Sequence, residues 1–386
     1  MNALTKQQLV QLVQAVFPKL ENDHALGILV DIPQQASKDS ELWKKRREIA
    51  LDWAKGLRDS IKELGLERVE LVGYSDVGSH GAELPPKVYL MGDVLPEISA
   101  NLASLGKEIL LKDLYPQIQI WLAPTEYSTT APLKNAASNY GFRAATMPGF
   151  CESMIPALQL DYTEVGRRVD VLTSKLDIAK AAKALFIVDE KKKCEMFFDI
   201  RFRKGHASSG RFPNPGVAGN LPSGESYIVP YEGERKDKSQ TQGTLPVQFG
   251  SEMVFYKIEE NKVVSVDGEG EAAKKEKELV SREPAYANIA ELGFGVLSDF
   301  GVKPIGEVLL DEKLGFHVAF GRSDHFGGQV GPAQFSSPSA VVHIDRIYIP
   351  ETQPRVHLKS LVFLYEDGTQ ETILSEGKYL LFSNPT

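Results

Sequence analysis

Hydrophobic and polar residues alternate in two different ways along the chain, and the change falls near Leu185. In the first half, apolar runs such as HALGILVDIP and QIQIWLAP alternate with stretches whose apolar residues recur at helical spacing. Strands separated by helices predict a largely parallel α/β sheet. The last of these stretches, TEVGRRVDVLTSKLDIAKAAKAL, predicts one long helix that closes this half.

The second half contains closely spaced strand patterns joined by turns rich in Gly and Pro, including CEMFFDIRFRKG and SEMVFYKIEENKVVSVDGEG. This pattern is typical of a mostly antiparallel, β-rich domain. We therefore predict two domains. Residues 1–185 form an α/β N-terminal domain with a largely parallel sheet, and residues 186–386 form a β-rich (α+β) C-terminal domain.

The composition of the chain limits the kinds of molecule that it is expected to bind and the cellular compartment in which it is expected. The chain of 386 residues has a formal net charge of −8, which disfavours a nucleic-acid partner because phosphates are bound by Lys and Arg. The one basic run, Lys44 to Arg47, lies among acidic residues at helical spacing and is interpreted as a solvated helix face. Two cysteines, no signal-peptide core and no long apolar run predict a cytoplasmic protein without a membrane partner.

Five residues with metal-ligand chemistry lie in the second half. In SSPSAVVHIDRIYIP, His343 and Asp345 occupy alternate positions of a strand and therefore share one face. Glu225 follows the Pro–Gly turn of NLPSGESYIVP, Glu291 lies within ANIAELGFGV, and His317 lies within KLGFHVAFG. Taken singly, each is also typical of a structural histidine or a surface glutamate. Embedded among apolar residues, a carboxylate is costly to bury unless it is paired or binds a metal.

Together these residues form a set of oxygen and nitrogen donors without thiolates. Such a set suits Zn²⁺, Mn²⁺, Co²⁺ or Fe²⁺ in a catalytic rather than a structural site. Three carboxylates and two imidazoles are enough for two divalent ions that share a bridging carboxylate. Two-metal sites activate a water and polarise a carbonyl, so hydrolysis of a peptide or a related amide is the favoured chemistry. The sequence leaves open which carboxylate bridges.

The order of the segments NLPSGE, AELGFG, GFHVAFG and HID resembles the C-terminal half of the thermophilic-type metalloaminopeptidases, the aminopeptidase T group of leucyl aminopeptidase-like enzymes. In that family an N-P-x-G-E turn, an A-E-L-G-x-G segment, an H-x-A-x-G strand and a final H-x-D supply the ligands of a two-metal site. The resemblance extends from about Gly219 to Pro350. It implies that the metal ligands are Glu225, Glu291, His317, His343 and Asp345.

The resemblance also implies the activity and its cofactors. The expected protein is a metal-dependent aminopeptidase that removes N-terminal residues from short peptides with two divalent ions (Zn, Co, Mn or Mg), and a homodimer. The family has a tyrosine three residues after the glycine of H-x-A-x-G, and this chain has Asp324 there, followed by His325. We interpret Asp324 and His325 as the catalytic residues, and either they or a metal-ligated carboxylate would carry a proton to the leaving amine. Binding of a different substrate group is the other role open to Asp324 and His325.

Two alternatives remain open from the sequence. Non-haem Fe(II) dioxygenases that cleave dihydroxypyridine rings share this fold by resemblance, and they would use His317, His343 and Asp345 as a facial triad. A catalytically inactive scaffold is the second alternative. The presence of Glu225 and Glu291 favours the two-metal hydrolase, whereas the absence of the tyrosine favours the dioxygenase.

Overall fold

The fold comes from a computed structural model, which describes residues 4–337 and 340–382. The strands, in chain order, are β1 (Ala25–Ile32), β2 (Arg68–Ser75), β3 (Lys87–Met91), β4 (Gly106–Leu110), β5 (Ile120–Ala123), β6 (Arg143–Thr146), β7 (Ala179–Val188), β8 (Lys192–Asp199), β9 (His206–Ser208), β10 (Ala218–Asn220), β11 (Glu225–Ile228), β12 (Gln242–Phe249), β13 (Glu252–Glu259), β14 (Lys262–Asp267), β15 (Ile289–Gly295), β16 (Phe316–Gly321), β17 (His343–Ile347), β18 (Val356–Tyr365), β19 (Gln370–Ser375) and β20 (Lys378–Tyr379). The helices are α1 (Lys6–Val16), α2 (Glu41–Arg58), α3 (Ile61–Leu64), α4 (Leu102–Leu105), α5 (Leu111–Leu114), α6 (Thr130–Tyr140), α7 (Ile155–Leu158), α8 (Tyr162–Ile178), α9 (Glu271–Arg282) and α10 (Val308–Asp311). Among the described residues, no helix combines the length and the apolar character that a membrane crossing requires.

The first compact unit extends to Gly166 and also includes Gly210–Ser223. Its seven-stranded sheet has the order β10-β6-β5-β1-β2-β3-β4. Strand β1 pairs in parallel with β2 and β5, and β6 pairs in parallel with β5 and β10, whereas β3 is antiparallel to both of its neighbours. Every residue of β1 is buried, as is typical of a parallel strand that is covered on both faces. The sheet is therefore mixed, and its antiparallel strands lie at one edge.

The basic run of α2 differs from the prediction of a solvated face. Its two lysines are exposed, but the side chains of Arg46 and Arg47 are buried. Arg47 donates to both carboxylate oxygens of Asp39, and Arg46 pairs with Glu126. Buried guanidinium groups need such partners, because an unpaired charge in the interior is strongly unfavourable. The two arginines therefore belong to the interior of the unit.

The second compact unit comprises Arg167–Ser209 and the described chain from Gly224 onward. It contains an eight-stranded sheet, β14-β13-β12-β8-β7-β18-β19-β20, and a five-stranded sheet, β17-β16-β15-β11-β9. The paired strands of both sheets are antiparallel. The rings of Phe186 in β7 and Phe198 in β8 each lie 6.4 Å from the ring of Phe316 in β16. Aromatic side chains thus form the core between the two sheets.

The predicted long helix ends earlier than its pattern suggests. Helix α8 stops at Ile178, and the following segment is β7, which pairs with β8 and β18. The helix prediction is therefore wrong for AKAAKAL, because pairing on both sides overrides the helix preference of alanine. The division between the two compact units falls inside α8, between Gly166 and Arg167. It thus differs from the predicted limits of residues 185 and 186.

Candidate metal centre

The five-stranded sheet has two faces of opposite character. One face carries the buried apolar residues Leu292, Phe294, Phe316, Val318 and Phe320, which alternate along β15 and β16. The other face carries all the predicted ligands: Glu225 in β11, Glu291 in β15, His317 in β16, and His343 and Asp345 in β17. Strand alternation accounts for this arrangement, because neighbouring side chains in a strand point to opposite faces.

Small residues separate the ligands on this face. They are Gly293 and Gly295 in β15, and Ala319 and Gly321 in β16. Gly293 pairs with His317, and a Cβ atom at Gly293 would overlap the imidazole ring. Ala319 lies between Glu291 and Asp345 in the register of β15, β16 and β17. The small side chains leave room above the sheet in which the ligand atoms converge.

A β-bulge at Ala290 adjusts the start of β15. Ile289 pairs with Phe320, whereas Glu291 pairs with Ala319, so Ala290 is an additional residue between the two pairs. Without the bulge, Ile289 and Glu291 would share one face of the sheet. With it, Ile289 faces the core and Glu291 faces the ligands.

Glu291 lies between the two histidines. Its Oε1 is 3.4 Å from Nε2 of His317, and its Oε2 is 3.1 Å from Nε2 of His343. The Nδ1 atoms of the two rings face backbone carbonyls, that of Gly315 at 3.2 Å and that of Arg322 at 2.7 Å. A carbonyl at Nδ1 holds the proton there and leaves Nε2 free to act as a ligand.

The other two carboxylates complete the group. Oε2 of Glu225 is 3.7 Å from Nε2 of His317. Oδ1 of Asp345 is 3.6 Å from Nε2 of His343 and 3.9 Å from Nε2 of His317. The structure therefore brings together all five residues that the sequence nominated, although they are scattered from position 225 to position 345.

Among the described residues, the ligand atoms form two sets of three. Within each set, all three atoms lie within 4.8 Å of one another. The inner set consists of Glu225, Glu291 and His317, and the outer set consists of Glu291, His343 and Asp345. All three residues of the inner set are buried, whereas His343 and Asp345 of the outer set are half-buried. Glu291 belongs to both sets.

The carboxylates and the imidazoles of the five candidate ligands stabilise one another's charged forms. Burial lowers the pKa of His317, but its hydrogen bond to Glu291 and the nearby carboxylates outweigh burial and raise the pKa to about 9. The pKa of His343 is also raised, because Asp345 and Glu291 outweigh burial. Burial raises the pKa of Glu291, yet hydrogen bonds from both histidines hold it well below its usual range. Without a metal, the site therefore favours imidazolium–carboxylate pairs.

The residues fit a divalent metal. Oε2 of Glu225 is buried and has no hydrogen-bond partner, which is costly unless a cation lies beside it. The donors are carboxylate oxygens and imidazole nitrogens, which suit Zn²⁺, Mn²⁺, Co²⁺ or Fe²⁺. This Glu, His and Asp group could therefore bind one or two metal ions.

Lys313 is a member of the site that the sequence did not indicate. Its Nζ donates to Oε1 of Glu225 at 2.5 Å and also contacts Glu312, and its side chain is only 2% exposed. Burial lowers the pKa of Lys313, but the two glutamates outweigh burial and raise it, so the ammonium group is retained. A lysine in the polar segment DEK is usually exposed, so the local sequence carried no signal of this role.

The two predicted catalytic residues follow β16 in a short 3₁₀ turn, Asp324–Phe326. Asp324 accepts from Nε of Arg322 at 2.5 Å, and its Oδ1 is 3.6 Å from Nδ1 of His325. The ring of His325 lies 5.4 Å from that of His343. Burial and the charges of His343 and Arg322 lower the pKa of His325 to about 4, so its imidazole is neutral near pH 7.

Aromatic rings enclose one side of the group. Tyr227, two residues after Glu225 in β11, stacks on His206 at 5.0 Å and contacts Phe326 at 4.7 Å. Phe326 also lies 5.6 Å from the ring of His343. Burial raises the pKa of Tyr227, so its hydroxyl keeps its proton.

Glu232 anchors the loop that carries Asp324 and His325. Its Oε1 accepts from Oγ of Ser323 at 2.6 Å, and its Oε2 accepts from the backbone N–H of Gln329 at 2.5 Å. Glu232 therefore holds the loop on both sides of the 3₁₀ turn. Neither Glu232 nor Tyr227 was nominated from the sequence.

No protein-family model matches the sequence, and no curated protein matches it. The chain is similar in fold to several solved structures, including two whose matches span nearly the whole chain. The structure of 2,5-dihydroxypyridine dioxygenase from Pseudomonas putida KT2440 has a TM-score of 0.60 and 15% identity, and the match covers 98% of this chain and 99% of that one. Wild-type AmpT from Thermus thermophilus has a TM-score of 0.55 and 13% identity, with 97% and 100% covered. At these identities the likeness shows a shared mixed α/β fold.

Proposed function

We propose that this protein is a metal-dependent aminopeptidase that uses two divalent ions. The observation that carries the proposal is the position of Glu291, which has one oxygen beside His317 and the other beside His343. A carboxylate in this position can bridge two ions, because it belongs to both sets of ligand atoms. The inner and outer sets then hold one ion each.

Bound ions would supply the two things that amide hydrolysis needs, a polarised carbonyl and an activated water. The chain supplies the proton transfer. His325 lies beside His343 and is neutral near pH 7, and we assign it the transfer of a proton from the attacking water to the leaving amine. Asp324 is held by Arg322, and its Oδ1 lies 3.6 Å from Nδ1 of His325, where its charge would stabilise the imidazolium that forms during the transfer.

The order of the ligand motifs supports an aminopeptidase rather than another amide hydrolase, since the turn, the glycine-flanked glutamate, the strand and the final pair follow one another as in aminopeptidase T. We extend the proposal accordingly to short peptide substrates, Zn, Co, Mn or Mg as the ions, and a cytoplasmic homodimer without a nucleic-acid partner.

A mononuclear Fe(II) ring-cleaving dioxygenase is the second candidate. The observation that favours it is Asp345, whose Oδ1 lies within 4 Å of Nε2 in both His317 and His343. His317, His343 and Asp345 have the residue types of the facial triad in non-haem Fe(II) oxygenases, two histidines and one carboxylate. The fold is shared with a structure of a dioxygenase as well as with AmpT, so the fold does not separate the two candidates.

Glu225 distinguishes the two candidate functions. It is a proposed ligand in the two-metal aminopeptidase, but it is not part of the facial triad of the dioxygenase. We expect protein purified without chelator to contain about two equivalents of Zn, Mn or Co and to release the chromophore from amino-acid arylamides. Glu291→Gln and Glu225→Gln should both abolish hydrolysis. Glu260→Gln is the matched control, since Glu260 is an exposed partner of Lys238.

Each alternative predicts a different result in the same experiments. One equivalent of iron, oxygen uptake with a dihydroxypyridine and full activity of Glu225→Gln would establish the dioxygenase. Protein that binds no divalent ion would be an inactive scaffold. Either result would exclude the aminopeptidase.

A further inference from the structure

Lys313 makes the inner and outer sets of ligands unequal. Its ammonium group lies 2.5 Å from Oε1 of Glu225, which belongs to the inner set alone. Only Oε2 of Glu225 remains free, and this oxygen has no hydrogen-bond partner. A metal ion in the inner set would thus share one carboxylate with a fixed positive charge.

The lysine is held in place by the backbone around it. A Cβ atom at Gly295 would overlap the backbone carbonyl of Lys313, so the two chain segments touch at a point where only glycine fits. The N–H of Gly295 donates to the carbonyl of Gly315 at 3.0 Å. The backbone at Lys313 is therefore held against β15, and this fixes the position from which the side chain of Lys313 extends to Glu225.

The outer set has no such competitor. Among the described residues, neither Glu291 nor Asp345 forms an ion pair with a lysine or arginine side chain. His343 is also more exposed than His317, with side-chain exposures of 20% and 1%. Ions from solvent therefore meet the outer set first, and the charges beside its carboxylates are imidazoles, which can release their protons to become ligands, rather than a fixed ammonium group.

We propose that Lys313 is a built-in cation that weakens the inner site, so that the outer ion binds tightly and the inner ion is exchangeable. Like charges at short distance repel, and a carboxylate shared with an ammonium group is a weaker ligand for a second cation. The inference rests on the two-ion part of the proposed function. It adds that the outer ion binds before the inner one. Occupancy of the inner site then depends on the concentration of free metal.

Calorimetric titration of chelator-treated protein with Co²⁺ tests the proposal without any peptide substrate. Wild type should bind two ions in two phases, with dissociation constants separated by about 10- to 100-fold, the usual effect of a residue that contacts a metal ligand. In a parallel titration with Zn²⁺, the ring resonances of His343 should shift before those of His317. The variants His343→Gln and His317→Gln assign the resonances.

Lys313→Met removes the ammonium group and keeps the length of the side chain. The weaker phase should tighten about 10- to 100-fold, while the tighter phase stays unchanged. Glu312→Gln should act in the opposite direction, because Glu225 is then the one carboxylate paired with the ammonium group in the described part of the chain. Lys303→Met is the matched control, since Lys303 is exposed on the surface of the same unit.

The pair of opposite variants keeps the test decisive if Lys313→Met does not fold, because Glu312→Gln alone must then weaken the second phase. A single ion in wild type and two in Lys313→Met would also support the proposal. Equal affinities in wild type, a shift of His317 first, or an unchanged weaker phase in folded variants would overturn it. Failure of arylamide hydrolysis would remove the aminopeptidase proposal and leave these binding results standing.

Discussion

Gly293 of β15 lies directly opposite His317 of β16, and the imidazole ring occupies the space that a side chain at position 293 would need. The backbone of Gly293 is not in a left-handed conformation, so glycine is required here for space alone. The close approach brings Nε2 of His317 to the carboxylates of Glu225 and Glu291.

Gly293→Ala should displace His317 and impair the inner set of ligands. We expect a loss of about 1–3 kcal/mol in the free energy of unfolding, the usual cost of overpacking, and a weaker second metal-binding phase. Urea unfolding and calorimetric titration measure the two effects. Gly92→Ala is the control, because a Cβ at Gly92 meets no atom within 4 Å. Unchanged metal binding in Gly293→Ala would contradict the crowding of His317.

Metal-free protein should lose stability as the pH rises from about 6.5 to about 9. The pKa of His317 is about 9 in the folded chain and 6.5 ordinarily, so its stabilising charge is complete below pH 6.5 and is lost by deprotonation above it. The contribution of His317 to this loss is about 3 kcal/mol at most. Urea unfolding with EDTA across this range measures it. His317→Gln should reduce this slope and leave the part that comes from the raised pKa of His343, whereas His24→Gln, a substitution at an exposed histidine, should keep the whole slope.

The affinity for a metal ion should instead rise with pH. A divalent ion binds neutral imidazole, so loading of His317 and His343 releases protons. Zinc affinity should therefore rise with pH up to about 9, in step with the raised pKa of His317. Calorimetry in buffers of different ionisation enthalpy counts the released protons. Binding that releases no protons would show that the two imidazoles are not ligands.

His325→Gln should lower kcat and leave metal content unchanged. The imidazole is proposed to move a proton, and general acid–base groups contribute about 10²–10⁴-fold to rate. Arylamide hydrolysis and elemental analysis of the same preparation measure both quantities. His357→Gln, a substitution at an exposed histidine that pairs with Glu376, is the control. A variant that loses its metal together with its activity would assign His325 to binding instead.

Glu232→Gln should loosen the loop that carries His325. The carboxylate accepts hydrogen bonds from Ser323 and Gln329, and charge-assisted bonds of this kind contribute roughly 1.5–3 kcal/mol each. Hydrogen exchange of the backbone amides at 322–331 should speed up, and kcat should fall while metal content persists. Unchanged exchange in this segment, measured beside Glu260→Gln, would show that the loop is fixed by other contacts.

The ligands could be found from local sequence because the rule that relates them is local. His343 and Asp345 share a face in any extended strand, whatever the rest of the chain does. Glu291 stood out as a carboxylate in an apolar, glycine-flanked segment, and burial of such a group requires a partner. The order of the motifs then completed the set of five.

Other features could not be read locally, because they depend on contacts between distant segments. The strand AKAAKAL has the composition of a helix and becomes β7 only through pairing with β8 and β18. Arg46 and Arg47 look solvated in sequence, yet each is buried beside an acidic partner. In both cases distant partners outweigh local preference.

Residue types and strand alternation were thus enough to name the donors and the face on which each one lies. Their convergence required the register of four strands, which brings positions up to 120 residues apart to one place on the sheet. The ammonium group of Lys313 beside Glu225 also required the folded chain, because it arises where distant backbone packs against Gly295. Alternation depends on neighbouring residues, whereas register and close backbone approach depend on the whole domain.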